Sequence, residues 1–478
     1  MSRLRILILA PDANPESISV ALVCYRHAEA LAHLHDVTLV ARAHSEEALR
    51  RAQAPFVAIE AISMPWLDRI FGWSLRRIFK NNFHSRVLTA FSYPFSIAFE
   101  WHAWRRMRTR ILAGEFDIVL RLSPVISVIP SVFPSFLRNC SIPFVVGPIN
   151  GGLPWPSGFS QAHKEKAWID NLRNLYRFMP FSRSTYRRSA AIIAGSSQTY
   201  AEFSTYREKL FFVPENGLSS SLCSGEMRHS DPNSKLELIF VGGLVPYKAC
   251  DLALRAATPL LKSDLAHFTV VGDGPERSRL AQLAKSLGIE EAVSFCGSLT
   301  HTEAMRRLRS ADVMVFPSVR EFGGGVVFEA LAVGTVPLVV DFGGPGDVVH
   351  PDLGYKVPLT NETAVVSQMQ GVLAELEHDR DLLDRLRHQG MSYALQRLTW
   401  EAKAEIVTQI LDWVVRRGPK PDLLPPKDLA SGDGLSGTVA RDEAFVASSS
   451  LKHSGVNNAQ AQPADGSKSP VKMEVGRE

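Results

Sequence analysis

The sequence predicts an α/β protein with two doubly wound, Rossmann-like domains. The chain has 478 residues, whereas single cores rarely grow beyond about 250–300 residues. Short apolar runs alternate with longer helical patterns in both halves, which is typical of parallel strands joined by helical crossovers. A polar stretch at 219–234, rich in Ser, Asp, Pro and Asn, separates the two series.

The first series predicts a domain at 1–222. Its apolar runs are short enough for strands, and the connections between them are long enough for helices. The predicted strands are 4–9, 37–41, 117–120, 144–147 and 190–194.

The second series predicts a domain at 236–398. Its predicted strands are 236–241, 267–271, 293–296, 313–316 and 336–340, with intervening helices at 250–261, 275–287, 302–309, 326–333 and 362–377. A last helix at 399–418 could pack back on the first domain. Beyond it, the composition changes to Pro, Gly, Ser, Ala and charge, which predicts a disordered tail at 419–478.

Composition narrows the class of protein. Five scattered cysteines without a Cys-x-x-Cys spacing indicate a reducing, cytoplasmic location and no zinc site. A net charge of +4 is too small to indicate nucleic-acid binding. We find no uninterrupted apolar run of the roughly 20 residues that a membrane-spanning helix needs.

The segment 66–110 is basic and aromatic. It carries nine Lys and Arg residues against Asp68 and Glu100, interleaved with tryptophans and phenylalanines. Such a segment could seat the first domain on an anionic lipid surface at the inner face of the membrane. The alternative is a helix pair packed on the sheet, with arginines that extend to solvent.

The most informative motif runs from Phe316 to Glu329. A predicted strand ends, Glu321 follows, three glycines come next and a helix begins. Ligands bind at such carboxyl ends of parallel strands, and unpaired amides at a helix N-terminus favour an anion such as a diphosphate. Glu321 and Glu329 could hold polyol groups on either side of that anion. An ordinary Gly-rich turn is the alternative.

This motif and its neighbours resemble the retaining glycosyltransferases of family 4, which adopt the GT-B fold of two Rossmann-like domains facing across a cleft. The spacing of Glu321 and Glu329 is similar to the family's E-x7-E signature. Three further motifs add to the resemblance: 241–249 (VGGLVPYKA), 271–276 (VGDGPE) and 213–217 (VPENG), the last with an irregular Glu215.

The resemblance implies a donor site in the second domain, with Lys248 and Glu321 as catalytic residues. Lys248 would contact the donor diphosphate, Glu321 the transferred sugar and Glu329 the ribose. The implied donor-binding residues are Gly243, Lys248, Gly297, Ser298, Leu299, Glu321, Phe322, Gly323, Gly324, Gly325, Val326 and Glu329. No metal or other cofactor is expected, because the nucleotide-sugar is itself a substrate and the only Asp-x-Asp, at 379–381, lies in a predicted helix.

Two departures from the family pattern stand out. Gly243 replaces an arginine, so half of the expected cationic clamp is missing unless another side chain supplies it. In the first domain, the loop at 11–18 replaces a Gly-Gly loop, and Asn14, Glu16 and Ser17 are either polar substitutes or simply solvated.

Two glycine-rich turns could also face the cleft. The turn at 147–152 could shape the acceptor site through Asn150 and Gly151, or it could be purely structural. The turn at 343–347 resembles a Gly-rich loop of the family, in which an acidic residue often stands near the position of Asp347.

The predicted function is transfer of a sugar, with retained configuration, from a nucleotide-sugar to a saccharide or lipid-linked acceptor in cell-surface polysaccharide or glycolipid synthesis. The alternative is a non-catalytic nucleotide-sugar-binding or membrane-surface scaffold with the same fold. A Rossmann-type oxidoreductase is not favoured, because residues 7–14 lack the Gly-x-Gly-x-x-Gly that should follow the first strand.

Overall fold

The computed structural model describes residues 2–17, 20–65, 69, 86–122, 129–151, 153, 156, 159, 179–225, 228–231 and 233–425. Two parallel sheets organise these residues, and the predicted α/β class is confirmed. The tail predicted at 419–478 lies outside the described residues from 426 onward.

The first domain is built on a seven-stranded parallel sheet with the order β3-β2-β1-β4-β5-β6-β7. Its strands are Arg5–Leu9 (β1), Asp36–Arg42 (β2), Ala58–Ile62 (β3), Ile118–Arg121 (β4), Phe144–Ile149 (β5), Ala191–Ala194 (β6) and Leu210–Phe212 (β7). Its α-helices are Val20–Leu34 (α1), Glu46–Arg51 (α2), Arg86–Leu112 (α3), Phe133–Phe136 (α4), Ser182–Arg188 (α5) and Ser197–Glu202 (α6).

Alternate residues of β1 show that both faces of this sheet are covered. Ile6 and Ile8 pack into one apolar cluster, whereas Leu7 and Leu9 pack into another on the opposite face. Successive side chains of a strand point to opposite faces, so a strand buried on both sides becomes a continuous apolar run.

The second domain has a six-stranded parallel sheet with the order β10-β9-β8-β11-β12-β13. Its strands are Leu236–Val241 (β8), Ala266–Val271 (β9), Val293–Gly297 (β10), Val313–Phe316 (β11), Val336–Val340 (β12) and Tyr355–Val357 (β13). Its α-helices are Cys250–Lys262 (α7), Arg277–Leu287 (α8), His301–Ser310 (α9), Gly325–Val333 (α10), Gly343–Val348 (α11), Glu362–His378 (α12) and Arg380–Tyr393 (α13).

The last described helix, Trp400–Arg416 (α14), returns to the first domain. Its buried residues Ala404, Val407 and Ile410 share an apolar cluster with residues of β1 and α1. Thr408 Oγ1 lies 2.8 Å from Nε2 of His35, which follows α1. The chain therefore crosses between the domains twice, after β7 and again before α14.

The segment after α14 also contacts the first domain. The amide of Phe212 donates a hydrogen bond of 2.9 Å to the carbonyl of Leu423, and Lys420 Nζ donates one of 3.1 Å to the carbonyl of Arg207. Residues 419–425 fall within the predicted disordered tail. Of these, Lys420 and Leu423 contact β7 and the turn before it.

Candidate functional site

The strand order of the second sheet reverses between β8 and β11. Successive strands run outward from β8 in one direction and from β11 in the other, which creates a crevice at their carboxyl ends where ligands bind in open α/β sheets. The loop after β8 carries Lys248, and the loop after β11 carries Glu321. The two loops are tied together because the Val319 amide donates to the Tyr247 carbonyl at 3.0 Å.

Lys248 and Glu321 meet in this crevice. Lys248 Nζ donates to Oε2 of Glu321, and their side chains are 17% and 19% exposed. Lys248 Nζ also lies 4.9 Å from the ring centroid of Phe316, the last residue of β11. The two residues predicted to be catalytic are therefore in direct contact, within reach of solvent.

The N-terminus of α10 opens beside this pair. Gly324 has a φ of +58°, a left-handed conformation that favours glycine, and it turns the chain so that Gly325 begins the helix. The amides of the first helical turn precede the intrahelical hydrogen bonds, and the helix dipole gives them a partial positive charge. The arrangement suits a diphosphate.

The glycine turn is backed by the segment after β7. An ideal Cβ at Gly323 would overlap the side-chain amide nitrogen of Asn216 and would lie 3.1 Å from Oε1 of Glu215. A side chain at position 323 would therefore have to displace the side chain of Asn216. The sequence motif alone does not show this constraint.

Glu329 lies one turn inside α10 and is partly exposed. Its Oε1 lies 3.0 Å from Nε2 of His301, the first residue of α9, which the sequence indicates only as a polar surface position. The Glu329 carboxylate therefore has a histidine partner. Phe322 and Val326, on either side of the glycines, are also partly exposed.

The turn with the predicted donor-binding residues Gly297, Ser298 and Leu299 lies at the end of β10. Gly297 ends that strand with a φ of +69°, and Ser298 and Leu299 follow it before the capping box of α9. An ideal Cβ at Gly297 would lie 3.0 Å from Nη1 of Arg277. A guanidinium therefore stands beside the turn.

Gly243 is exposed, and its surroundings are open. The nearest atom to an ideal Cβ there is the carbonyl oxygen of Asp273, at 4.0 Å. The departure from the family's arginine is therefore not imposed by lack of space. Arg277 Nη1 lies 3.6 Å from Oδ2 of Asp273, which places one cation in the neighbourhood of the vacant position.

The acceptor-side residues fall into two groups. In the loop after β1, Asn14 Oδ1 accepts from the Glu16 amide at 2.9 Å, the Ser17 amide donates to the Asn14 carbonyl at 3.4 Å, and Glu16 pairs with Arg51 at 3.0 Å.

The second group lies at the domain junction. Asn150 is buried, and its side chain hydrogen-bonds to Glu215. The Gly151 amide donates to Thr199 Oγ1 at 2.8 Å. The structure thus brings Asn150 to the glycine turn of the donor site, through Glu215.

Glu215 is the residue of this site whose importance the sequence did not indicate beyond an irregular match. It is partly exposed, yet burial and the negative charge of Glu321 together raise the pKa of its carboxyl group to about 7, against the opposing effects of the Asn150 hydrogen bond and of Lys403. Lys403 of α14 is buried, which lowers the pKa of its ammonium group to about 7, and its Nζ donates to the Pro214 carbonyl at 2.8 Å.

The turn at 343–347 also contributes to the junction. It forms the start of α11, and Asp347 Oδ2 accepts from the Ser197 amide of α6 at 2.8 Å. The Ser197 hydroxyl donates to the other oxygen of the same carboxylate. Asp347 therefore joins the second domain to the N-terminus of a helix of the first domain.

The Asp-x-Asp at 379–381 has a structural role. Asp379 Oδ1 accepts from the Leu382 amide at 2.8 Å and caps α13. In the described part of the chain, no three or more His, Cys, Asp or Glu side chains cluster closely enough to hold a metal ion.

The segment 66–110 is described only in part, because residues 66–68 and 70–85 lie outside the described residues. On α3, Trp101 is 43% exposed, and the Arg105 guanidinium stacks 4.8 Å from its ring centroid. Glu100, on the same helix, is instead buried and pairs with Arg121 at 2.8 Å. Within the described residues, no helix combines the length and the apolar character needed to cross a bilayer.

Comparison with known proteins identifies the second domain. Residues 227–390 match the family model of the glycosyl transferases group 1. An uncharacterised glycosyltransferase of Methanocaldococcus jannaschii is 32% identical over 139 residues, which are 29% of this chain and 36% of that protein. The D-inositol 3-phosphate glycosyltransferase of Nocardia farcinica is 34% identical over 175 residues, which are 35% of this chain and 38% of that protein. The matches thus span little more than a third of these relatives.

Solved structures share the whole architecture. Anabaena HepE in complex with UDP superimposes with a TM-score of 0.54 at 14% identity, covering 86% of this chain and 100% of HepE. Sucrose-phosphate synthase from Thermosynechococcus elongatus gives a TM-score of 0.54 at 16% identity, covering 87% of this chain and 100% of that chain. The chain therefore has the GT-B fold, and its second domain is similar to the glycosyl transferases group 1.

Proposed function

We propose that this chain is a retaining glycosyltransferase of family 4, which moves a sugar from a nucleotide-sugar donor to a saccharide or lipid-linked acceptor. The observation that carries the proposal is the meeting of Lys248 and Glu321 beside the N-terminus of α10. These groups lie in the domain that matches the family. The similarity to the D-inositol 3-phosphate glycosyltransferase of Nocardia farcinica agrees with this choice.

The geometry supports charge stabilisation as the main catalytic device. The first-turn amides of α10 and the Lys248 ammonium would favour a departing diphosphate more than the intact donor, because negative charge grows on the leaving oxygen. In a front-face substitution, that oxygen takes the proton of the acceptor hydroxyl while the new glycosidic bond forms. Glu321 would then hold hydroxyls of the transferred sugar.

The Lys248–Glu321 contact belongs to the ligand-free chain. An incoming donor would exchange this pair for two contacts of its own, diphosphate to Lys248 and sugar hydroxyls to Glu321. The pair therefore keeps both side chains in place without leaving an unpaired charge in a partly buried crevice. Donor binding would cost little rearrangement of the protein.

We propose that transfer needs no metal ion, because Lys248 and the helix amides can supply the positive charge that a metal would otherwise provide. Addition of a chelator should leave the transfer rate unchanged. A rate lost with chelator and restored by one divalent cation would contradict this part of the proposal.

The basic, aromatic α3 supports a membrane-proximal acceptor, at the inner face of the membrane in glycolipid or cell-surface polysaccharide synthesis. Exposed Trp101 and the stacked Arg105 suit the interface of an anionic bilayer. Sedimentation with vesicles of anionic lipid at low salt should carry the protein down, and added salt should release it. If the protein does not sediment with these vesicles at low salt, the proposed membrane association is wrong.

A thermal-shift screen tests donor binding directly. Ligands that bind only the folded state stabilise it by about 2.7 kcal/mol at a concentration of 100 Kd, so one among UDP-, GDP- and ADP-sugars should raise the melting temperature. UDP-sugars come first in the panel because HepE was solved with UDP. The best donor is then assayed for hydrolysis and transfer, with the configuration of the product determined.

The outcomes separate the two candidate functions. A stabilising donor that is turned over with retained configuration supports the enzyme. Stabilisation without turnover would favour the non-catalytic scaffold, for which the exposed, open Gly243 in place of an arginine is the specific observation. No stabilisation by any nucleotide-sugar would contradict both.

A further inference from the structure

Glu215 places a titratable carboxyl group where the two domains and the donor turn meet. It follows β7 at the first crossing between the domains, and it is partly exposed. Its Oε1 lies 3.1 Å from the position of an ideal Cβ on Gly323. A carboxylate thus stands directly behind the turn that leads into α10.

Four separate elements surround this carboxyl group. Asn150, after β5, hydrogen-bonds to it, and Glu321, after β11, is close enough for charge repulsion. From α14, Lys403 contributes a positive charge, and its ammonium group donates to the Pro214 carbonyl. Glu321 is in turn paired with Lys248.

The fourth neighbour, His27 of α1, is neutral. Its Nε2 donates to the Glu215 backbone carbonyl at 2.8 Å, and burial lowers the pKa of its imidazole to about 4. The histidine therefore adds no positive charge near pH 7. The charged groups that act on Glu215 near pH 7 are the carboxylate of Glu321 and, in part, the ammonium group of Lys403, whose pKa is itself lowered to about 7.

A bound donor would add two negative charges to this cluster. On the function proposed above, the diphosphate binds at the amides that follow Gly324, next to Gly323 and therefore close to Glu215. An ionised Glu215 would repel the diphosphate, whereas a neutral carboxyl group removes that repulsion and offers an O–H donor.

We propose that Glu215 is a positioning residue of the donor site, which takes up one proton from solvent when the nucleotide-sugar binds and then donates it in a hydrogen bond within the cleft. The inference rests on the proposed function. It explains why a carboxyl group is tolerated beside an anion site, because the residue acts there in its neutral form.

The sign of the pH dependence follows from linkage. The pKa of Glu215 is raised to about 7 in the free protein, and a nearby diphosphate raises it further. Donor affinity is then highest below pH 7 and falls as the pH rises, because the proton must be taken from an increasingly dilute pool. If donor binding is coupled to the uptake of one full proton, the Kd of the donor increases about tenfold between pH 6 and pH 8.

Isothermal titration of the donor chosen by thermal shift tests this proposal. The wild type should show the tenfold rise in Kd, and titrations in buffers of different ionisation enthalpy should show uptake of close to one proton at pH 8. Glu215→Gln should bind with a Kd that does not change over this range, and at pH 8 it should bind about tenfold more tightly than the wild type. Glu405→Gln, the same change on an exposed residue of α14, should behave as the wild type does.

Lys403→Met identifies the group that takes up the proton. In this variant the Kd of the donor should still depend on pH, but the midpoint of that dependence should move to higher pH. The reason is that the ammonium group of Lys403 favours the ionised form of Glu215. A dependence that persists in Glu215→Gln but disappears in Lys403→Met would assign the proton to the lysine and overturn the proposal.

The remaining outcomes are equally decisive. Donor binding without proton uptake in the wild type would overturn the role of Glu215 and leave the proposed function standing, and this reading does not depend on the folding of any variant. If no nucleotide-sugar binds the wild type at any pH, the proposed function itself fails, and this inference fails with it.

Discussion

Replacement of Lys248 and Glu321, singly and together, tests whether the contact between them organises the site. The single variants are Lys248→Met and Glu321→Gln, which remove the charges and nearly keep the side-chain volumes. Loss of one preorganised charge-stabilising group typically lowers turnover by about 10²–10³-fold, or about 3–4 kcal/mol. We expect each single variant to fall in that range.

The direct contact between the two side chains sets the expectation for the double variant. Independent losses would multiply to about 10⁴–10⁶-fold, but residues that act as a unit are strongly non-additive. In the ligand-free chain Lys248 Nζ donates to Glu321 Oε2, so loss of either partner removes the contact that holds the other in place for the incoming donor. The double variant should therefore lose no more than about tenfold beyond the slower single variant.

The folding of the variants separates catalysis from stability. Both side chains keep some exposure to solvent, so loss of the pair should change the free energy of unfolding by only about 1 kcal/mol. Chemical denaturation measures this change. Initial rates of donor hydrolysis or sugar transfer, measured for the wild type, both single variants and the double variant, give the coupling between the two residues. Near-normal rates in both single variants would refute the assignment of the site, and fully multiplicative losses would refute the coupling between the two residues.

Two glycine substitutions make further predictions. Gly243→Arg should strengthen donor binding several-fold at low salt without loss of stability, because the position is open except for the Asp273 carbonyl at 4.0 Å; titration calorimetry measures the change, and weaker binding would contradict the idea of a vacant cationic position. Gly323→Ala should destabilise the chain by about 1 kcal/mol, because its Cβ would displace the side-chain amide of Asn216. As a control, Gly371→Ala on α12 meets no atom within 4 Å and should stabilise the chain by about 0.5–1 kcal/mol in denaturant unfolding; an equal loss in both variants would argue against the packing role of position 323.

The strands that could be predicted from the sequence are those buried on both faces. The apolar run of β1 is bounded by Arg5 and Pro11 and is unambiguous. Three strands gave no comparable signal. Ala58–Ile62 is mostly half-exposed, while Leu210–Phe212 and Tyr355–Val357 are three residues long. A strand this short, or one at a sheet edge, leaves little apolar periodicity to detect.

The site was predictable where the chemistry is local in sequence. The turn before α10 is recognisable from its glycines, from Glu321 before them and from Glu329 inside the helix. Lys248 is expected near this turn because the carboxyl ends of parallel strands lie at the same edge of a sheet. The contacts that depend on distant segments could not be predicted. Glu215 owes its raised pKa to burial among elements up to about 190 residues away, and the Ser197–Asp347 contact spans 150 residues.

The central claim is that a nucleotide-sugar diphosphate binds at the N-terminus of α10, beside Lys248. A crystal structure of the chain with the nucleoside diphosphate selected by thermal shift tests this claim most directly. We expect phosphate oxygens within hydrogen-bond distance of the Gly325 and Val326 amides and of Lys248 Nζ, with the ribose near Glu329. Diphosphate density elsewhere, with the Lys248–Glu321 contact unchanged, would contradict it.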